Sequence, residues 1–447
     1  MEKVRHQFSS RELVSLIIPL IADSFLSILI GMADTIMVSR CGEAAVSGVS
    51  LVDTVSNLLI TVFNAFATGG AVVVSQYLGH NEPDNARASA RNLIYISVII
   101  SVVMTAVLLP IREEMITVLF GSITDEVRMN TDAYLVPILI SYPFLAVYSA
   151  LTALSRSERK SFRTMMVSVL MNAINIGGNA FLIYHEGMGP RGAGIASLAS
   201  RIAGCLVMFI LMRNKNEDLN IRNLLKGPFS PFLIKKILRI GIPSGLEGAA
   251  FHVGKIMVQT LIAGLGTSAI AINAVAGNFN SYSNIPGNGI NLAMITIVGQ
   301  CRGQDNIKDV KYYTKLLTAL VFLTTILINI PLLIFAPNVI SFYGLEASSI
   351  TAAIPICTLC LIMCTTIWPF AFTLPNMLKA VGDVKFILFA SFSSMWIFRV
   401  GGAYFMVRIL GMGVEAIWYA MYLDWAFRGL LYTYRVARGK WQEKRVI

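Results

Sequence analysis

The chain is predicted to be an all-α polytopic membrane protein: twelve transmembrane helices forming two six-helix lobes, related by a pseudo-two-fold axis along the membrane normal. Three observations lead there. First, 55% of the 447 residues are hydrophobic and only 14% charged, with mean hydropathy +0.68, which is too apolar for a soluble globular protein. Second, twelve mostly apolar segments of roughly 20 residues or more follow one another, each long enough to cross a bilayer as a helix. Third, the punctuation of the first half returns 224 residues later. Ile18-Pro19 recurs as Ile242-Pro243, Gly42 and Ala45 as Gly266 and Ala269, and Asn64 as Asn288. Val74, Gln76 and Gly79 recur as Val298, Gln300 and Gly303. Only eight of 63 aligned residues from 18 to 80 are identical, so the weight lies in the unbroken register and the kinds of residue retained. Membrane proteins built of two like halves commonly move a solute through the space between them.

The spans are expected near 13–38, 46–78, 90–111, 131–155, 162–184, 192–212, 235–262, 268–300, 311–336, 350–377, 386–409 and 412–437. The first contains Asp23 and Asp34 and follows a polar start, so it is a membrane span rather than a cleaved signal peptide. The longest polar connection begins at Arg213, giving an N-terminal lobe 1–212, a cytoplasmic linker 213–234 and a C-terminal lobe 235–447. Six spans per half is an even number, so both repeats enter from the same side. With a cytoplasmic N-terminus, 27 Lys and Arg fall on the cytoplasmic side and 5 on the other, as the positive-inside rule requires. The net charge of +11 is therefore topogenic. The basic residues form no single patch, and membrane lipids rather than nucleic acid are the expected surroundings. The six cysteines give no disulfide framework; Cys357, Cys360 and Cys364 share a helical face as small interface residues.

A charge at the bilayer centre costs roughly 2.5–3.5 kcal/mol on insertion scales, so acids there face a bundle interior or water. Asp23, Asp34, Asp53, Glu247 and Asp424 reach that depth. Asp34 lies in ILIGMADTIMVSR near the outer end of span one, with no basic residue at i±3 or i±4, which favours cation or proton binding. Asn172, Asn175 and Asn179 in span five are three and four residues apart, placing three amides on one face. A carboxylate beside amide carbonyls and hydroxyls could coordinate Na⁺. Partly desolvated, the same carboxylate could carry a proton. The pattern admits both.

Span two presents Asp53, Asn57, Thr61, Asn64 and Thr68 on one stripe, and span eight Asn280, Asn284, Asn288 and Asn291. These stripes are expected to line a water-filled substrate cavity. Asp23 and Glu247 correspond under the repeat, each four residues after its proline; Glu247 is expected either in the cavity as a second-lobe acid or in a structural pair. Asp424 and Arg428, at i and i+4, suggest a self-contained ion pair, while Arg201 and Arg399 would meet headgroups or a partner acid. There is no Walker A loop, HExxH or Cys/His metal spacing, so no enzyme and no cofactor is expected, and any transport would draw on an ion gradient.

In order and layout the motifs resemble the multidrug and toxic compound extrusion (MATE) family. They are MADTIMVSR, CGEAAVSGVS, VVSQYLGHNEPDNARASAR, NAINIGGNAFLIY, GMGPRGAGIAS, GIPSGLEGAAFHVGK, VGQCRGQDNIKD and LKAVGDVKF. The resemblance covers 13–437 and implies two six-helix lobes around a V-shaped central cavity. It also implies export of organic cations and amphipathic compounds against an inward Na⁺ or H⁺ gradient. The family's N-lobe cation site falls by motif position on Asp34, Asn175, Asn179 and Ser197. Asn179 departs from members that carry a second aspartate there, and SRSERKSF departs from the Gly-Asp loop that LKAVGDVKF keeps.

The expectation is thus a monomeric antiporter of the bacterial inner membrane, both termini cytoplasmic, working by alternating access. Asp34, Asn175, Asn179 and Ser197 would bind the coupling ion (Na⁺ or H⁺), and Asp53, Asn57, Asn64, Glu247, Asn284 and Asn288 would line the substrate cavity. A lipid-linked oligosaccharide flippase of the same superfamily is the alternative. It would need more cavity cations than Arg201, Lys255, Arg399 and Arg428 supply.

Overall fold

The computed structural model describes residues 6–121, 123–214, 218–221, 227, 229–343 and 346–447. Among them there is no strand, and twelve long helical segments follow in order. They are α1 Ser10–Ser39, α2 Glu43–Gly79, α3 Pro83–Leu108, α4 Asp125–Ser157, α5 Ser161–Asn179 and α6 Gly189–Met212. The second set is α7 Pro231–Ala263, α8 Thr267–Gly303, α9 Ile307–Ile334, α10 Ala347–Thr366, α11 Val384–Ser394 and α12 Glu415–Arg438. A π-helical turn at Ala180–His185 extends α5, and another at Met395–Gly401 carries α11 into Gly402–Arg408.

Each expected span falls on one of these segments, with two differences inside them. The span expected at 350–377 stops at Thr366 and continues as two short helices, Trp368–Phe372 and Leu374–Ala380, each with a proline in its first turn. Pro369 and Pro375 lack the N–H that an unbroken helix would need. The span expected at 386–409 is interrupted by its π turn. Part of the expected linker 213–234 (215–217, 222–226 and 228) lies outside the described residues. Its described part is tied down: the Leu219 N–H donates to Glu158 Oε1 at 2.6 Å, and Leu219 is fully buried.

The helices are inside-out relative to a soluble bundle. Along α3, Val98, Ile99, Val102, Val103 and Val107 are exposed while Ser89, Asn92, Ser97 and Ser101 are buried. Along its repeat partner α9, Leu323, Ile326, Leu327 and Ile330 are exposed while Thr314, Thr318, Thr325 and Asn329 are buried. The buried hydroxyls close on helix carbonyls one turn back, as Ser97 does on Leu93 at 2.9 Å and Thr325 on Val321 at 2.6 Å. Apolar faces turned outward and polar faces turned inward are what a hydrocarbon solvent selects. Nine described segments are apolar and long enough to cross a membrane on composition alone. The exceptions, α7, α8 and α12, carry the charges and asparagines of the interior. The chain is an integral multi-pass membrane protein.

Contacts divide the chain into two compact units, 8–245 and 246–446, the latter with His6 and Gln7. In the first, α4 packs on α2, α3 and α6, around a core that includes Val49, Phe63, Leu135, Leu139 and Tyr142. In the second, α8 packs on α9 and α10, and Asn329 on α9 donates to Leu361 O at 3.0 Å and Thr365 Oγ1 at 2.8 Å on α10.

The repeat reaches down to single backbone angles. Gly42 and Gly266, which precede α2 and α8, have φ of +103° and +97° with extended ψ, a combination open essentially to glycine alone. Asn81 and Asp305 share left-handed φ of 59° and 54°, and Gly187 and Gly411 share 65° and 69°. Arg159, in the loop that departs from the family pattern, holds φ 64°, and Gly382, 223 residues on after a one-residue shift in register, has 87°. The arginine is secured there by Glu12 Oε1 at 2.8 Å and by the Phe8 ring at 4.2 Å. A Cβ at Gly42 or Gly266 would meet nothing within 4 Å, so substitution there is a backbone question only. Gly266→Ala is expected to cost about 1–3 kcal/mol, seen as a lowered thermal midpoint of the purified protein in detergent. An unchanged midpoint would contradict this account.

Candidate functional site

In the first unit, four side chains from α1, α5 and α6 form one hydrogen-bonded chain. Asn179 Nδ2 donates to Asp34 Oδ1 and, at 3.4 Å, to Asn175 Oδ1; Asn175 Nδ2 donates to Ser197 Oγ at 3.1 Å. Local sequence explains the convergence. Asn175 and Asn179 are one turn apart, and Gly178 lets α5 approach α6 so closely that a Cβ there would lie 2.9 Å from that of Ala196. Asn175, Asn179 and Ser197 are buried, whereas Asp34 is half-buried. Asn172, on the same stripe, instead donates to the Ser168 carbonyl at 2.8 Å and does not join the chain.

Two features set Asp34 apart. Among the described residues it has no ion-pair partner. Arg201, one turn beyond Ser197, acts electrostatically on Asp34 and Asp53 but hydrogen-bonds Ser141 Oγ at 2.5 Å. In addition, Asn179 Oδ1, fully buried beside the carboxylate, has no hydrogen-bond partner. A buried carbonyl oxygen left unpaired is costly, and either a cation or a proton carried by Asp34 would give it one. No group of three or more His, Cys, Asp or Glu that could hold a metal occurs among the described residues, so the oxygen set at Asp34 is one carboxylate with neutral amides and a hydroxyl. That donor set fits a singly charged hard cation.

The polar stripes divide. Asp53, Asn57 and Asn64 on α2 are exposed, Asp53 accepting from Tyr134 OH at 3.4 Å. Asn288 on α8 is also exposed, but Asn284 is buried and donates to Asn280 Oδ1 at 2.8 Å. Exposed carboxylate and amides in the middle of apolar helices face water more cheaply than acyl chains.

Sequence reasoning missed a duplicated brace. Glu247 is held by Lys379 Nζ at 2.9 Å and by the Ser391 hydroxyl at 3.0 Å, and Ser391 also pairs with Tyr432 OH at 2.7 Å. Asp23 has the matching set in the first half, hydrogen-bonding Ser168 beside the charge of Arg156. Asp23 lies 224 residues before Glu247, and Arg156 and Ser168 each lie 223 before Lys379 and Ser391, so an acid, a cation and a serine recur in both halves with a one-residue shift in register. Lys379 sat in a loop where it counted only as topogenic charge, so its partner acid on α7 was not visible. The expected self-contained Asp424–Arg428 pair is larger too. Asp424, fully buried, is 2.8 Å from Arg428 Nη2 and 2.8 Å from Arg399 Nη2, and accepts from the Ser394 hydroxyl.

Breaking one side of a buried pair costs about 3–5 kcal/mol, less where water reaches it. With both groups of the Glu247–Lys379 pair 15–19% exposed, Lys379→Gln is expected to cost about 1–3 kcal/mol. The double variant with Glu247→Gln should recover most of the loss in thermal midpoint, and additive losses would refute the brace.

The MatE family model matches twice, over 19–181 and 243–405, the same 224-residue offset seen in the sequence. A probable multidrug resistance protein NorM of Thermotoga maritima is 26% identical over 98% of this chain and 94% of its own length. The uncharacterized transporter YisQ of Bacillus subtilis is 25% identical over 97% of this chain and 95% of its own. The outward-facing structure of a multidrug resistance MATE family transporter of the MOP superfamily superposes with a TM-score of 0.89. It is 20% identical, and the match covers 97% of this chain and 96% of that one. The likeness to solved structures shares the fold, and the paired family match carries the assignment: this chain belongs to the MATE (MatE) family of multidrug efflux transporters.

Proposed function

We propose that the protein is a secondary active antiporter that exports amphipathic organic cations in exchange for Na⁺ or H⁺ by alternating access. The observation that carries this is the unpaired Asn179 Oδ1 beside an Asp34 that no fixed cation neutralises. Asp34 is the coupling acid, and Asn175, Asn179 and Ser197 complete its oxygen shell. With Na⁺ bound, the ion supplies charge to the carboxylate and a partner to the amide oxygen. With H⁺, the protonated carboxyl donates to an acceptor that otherwise lacks one. A cationic cargo near the same acid competes with either ion, so binding one weakens the other.

Asp53, Asn57 and Asn64 of the first unit and Asn284 and Asn288 of the second are assigned to the substrate route, while Glu247, held by Lys379, is assigned to its brace instead. The exposed amides and the multidrug-resistance names of the relatives support this assignment. They lend nothing to a lipid-linked oligosaccharide flippase. The lobes are 1–212 and 235–447, joined by the cytoplasmic linker 213–234, and the monomer resides in a bacterial inner membrane with both termini cytoplasmic. The 27-to-5 asymmetry of Lys and Arg supports that orientation.

The test is efflux of a fluorescent organic cation from proteoliposomes with Na⁺ and pH gradients imposed separately. One gradient should drive transport in the wild type, and Asp34→Asn should abolish the gradient-dependent part. Full coupling in that variant, or no response of the wild type to either gradient, would sink the proposal. Asn179→Ala should lower the apparent affinity for the coupling ion by about tenfold, as expected for a lost ligand worth roughly 1.4 kcal/mol.

A further inference from the structure

The interior of the second unit carries more positive than negative charge, and its acids are already committed. Asp424 is shared by two guanidiniums, at 2.8 Å from Arg399 and 2.8 Å from Arg428. Glu247, the other acid that this unit carries to membrane depth, is occupied by Lys379 at 2.9 Å; the buried Asp309 and Asp383, nearer the helix ends, are paired with His6 and Arg435. Lys255 on α7 is an electrostatic neighbour of Arg399 and, among the described residues, has no ion pair. Two carboxylates therefore face four cations. Even a neutral Lys255 would leave three cations to two acids. Uncompensated charge at membrane depth is expensive, so this surplus calls for a counter-charge.

Hydrogen bonding points to the same place. Arg399 is 6% exposed and Arg428 3%, yet the Nε of each is buried without a hydrogen-bond partner. Trp396 Nε1, on the same π turn as Arg399, is likewise buried without one. The Phe251 ring faces both guanidiniums, 5.0 Å from Arg399 Cζ and 5.7 Å from that of Arg428. Lys255, four residues after Phe251, is exposed and forms the open side of this cluster, with Arg399 as its buried side. Unused N–H donors beside surplus cations, next to an aromatic face, are the chemistry that takes up a negative group. A π turn is also a common way to aim a helix side chain at a ligand.

We propose that the second unit holds an anion site at Lys255 and Arg399 that takes one singly charged negative group, either an organic carboxylate or a halide. This goes beyond antiport of cations and does not depend on it. An organic carboxylate would place the aromatic or aliphatic body of the molecule against Phe251, and this unit would then admit zwitterionic or acidic cargo. A halide would serve as a resident counter-ion of the guanidinium pair.

Equilibrium dialysis of the purified full chain in detergent, against radiolabelled benzoate and radiolabelled chloride, separates these cases. Saturable binding of either anion is expected, weakened at least about fivefold by Lys255→Gln and retained by Lys255→Arg, as for a partly exposed charge contact. Benzoate that binds and displaces chloride identifies an organic carboxylate site; chloride that binds without displacement identifies the counter-ion. Both results support the site. Absence of saturable binding of both anions, or equal binding by Lys255→Gln with an unchanged thermal midpoint, would overturn it. No gradient is applied, so this failure and a failure of antiport are read separately.

Discussion

A polar side chain carried into the bilayer is costly unless it pairs with another group, closes on its own helix or faces water. That constraint organises the rest. It turns valines and leucines of α3 and α9 outward and their serines and threonines inward, the reverse of a water-soluble bundle. It also decides which acids are locked and which are available. Asp424 and Glu247 are held by guanidinium or ammonium groups at 2.8–2.9 Å, in effect permanent neutralisation. Asp34 hydrogen-bonds a neutral amide, and Arg201 acts on it without forming an ion pair. An acid of that kind can change its charge state, or exchange one cation for another, without dismantling a salt bridge.

Duplication has therefore produced two units with a common frame and different electrostatics. The frame is retained in detail: the glycine-only entry to α2 and α8, the left-handed Asn81 and Asp305, and the acid–cation–serine brace at Asp23 and Glu247. What surrounds the brace has diverged. The position matching Asn179 is Ala403 and that matching Asp34 is Val258, so the amide-lined acid exists in the first half alone. The second half instead gathered Arg399, Asp424 and Arg428 on α11 and α12. One scaffold thus carries an acid without a fixed partner in one half and a region rich in unused positive charge in the other.

Much of this was legible in the sequence. Hydropathy and the 224-residue register gave the spans and the repeat, because retained prolines and glycines mark backbone conformations that few residues adopt. Asp34, Asn175 and Asn179 were found because an acid without a basic neighbour and amides at helical spacing are local patterns. Lys379 with Glu247 and Arg399 with Asp424 were not, since each pair joins different helices through residues more than 20 apart in the chain and no spacing rule reaches that far. Asn172 shows the limit of a shared stripe. It lies on the same face as Asn175 but satisfies itself on its own helix, at the Ser168 carbonyl. The burial of Asn284 beside the exposed Asn288 makes the same point on α8.

The central claim is that one carboxylate, shielded from bulk water and free of a fixed counter-ion, exchanges a small cation for cargo. It is tested most directly by measuring what leaves the purified protein when a cationic substrate binds. Proton release in weakly buffered detergent solution and displacement of radiolabelled Na⁺ would be followed in parallel. The account predicts that substrate binding expels one of the two ions from the wild type and neither from Asp34→Asn. Substrate binding that releases neither ion, or equal release from the variant, would contradict it.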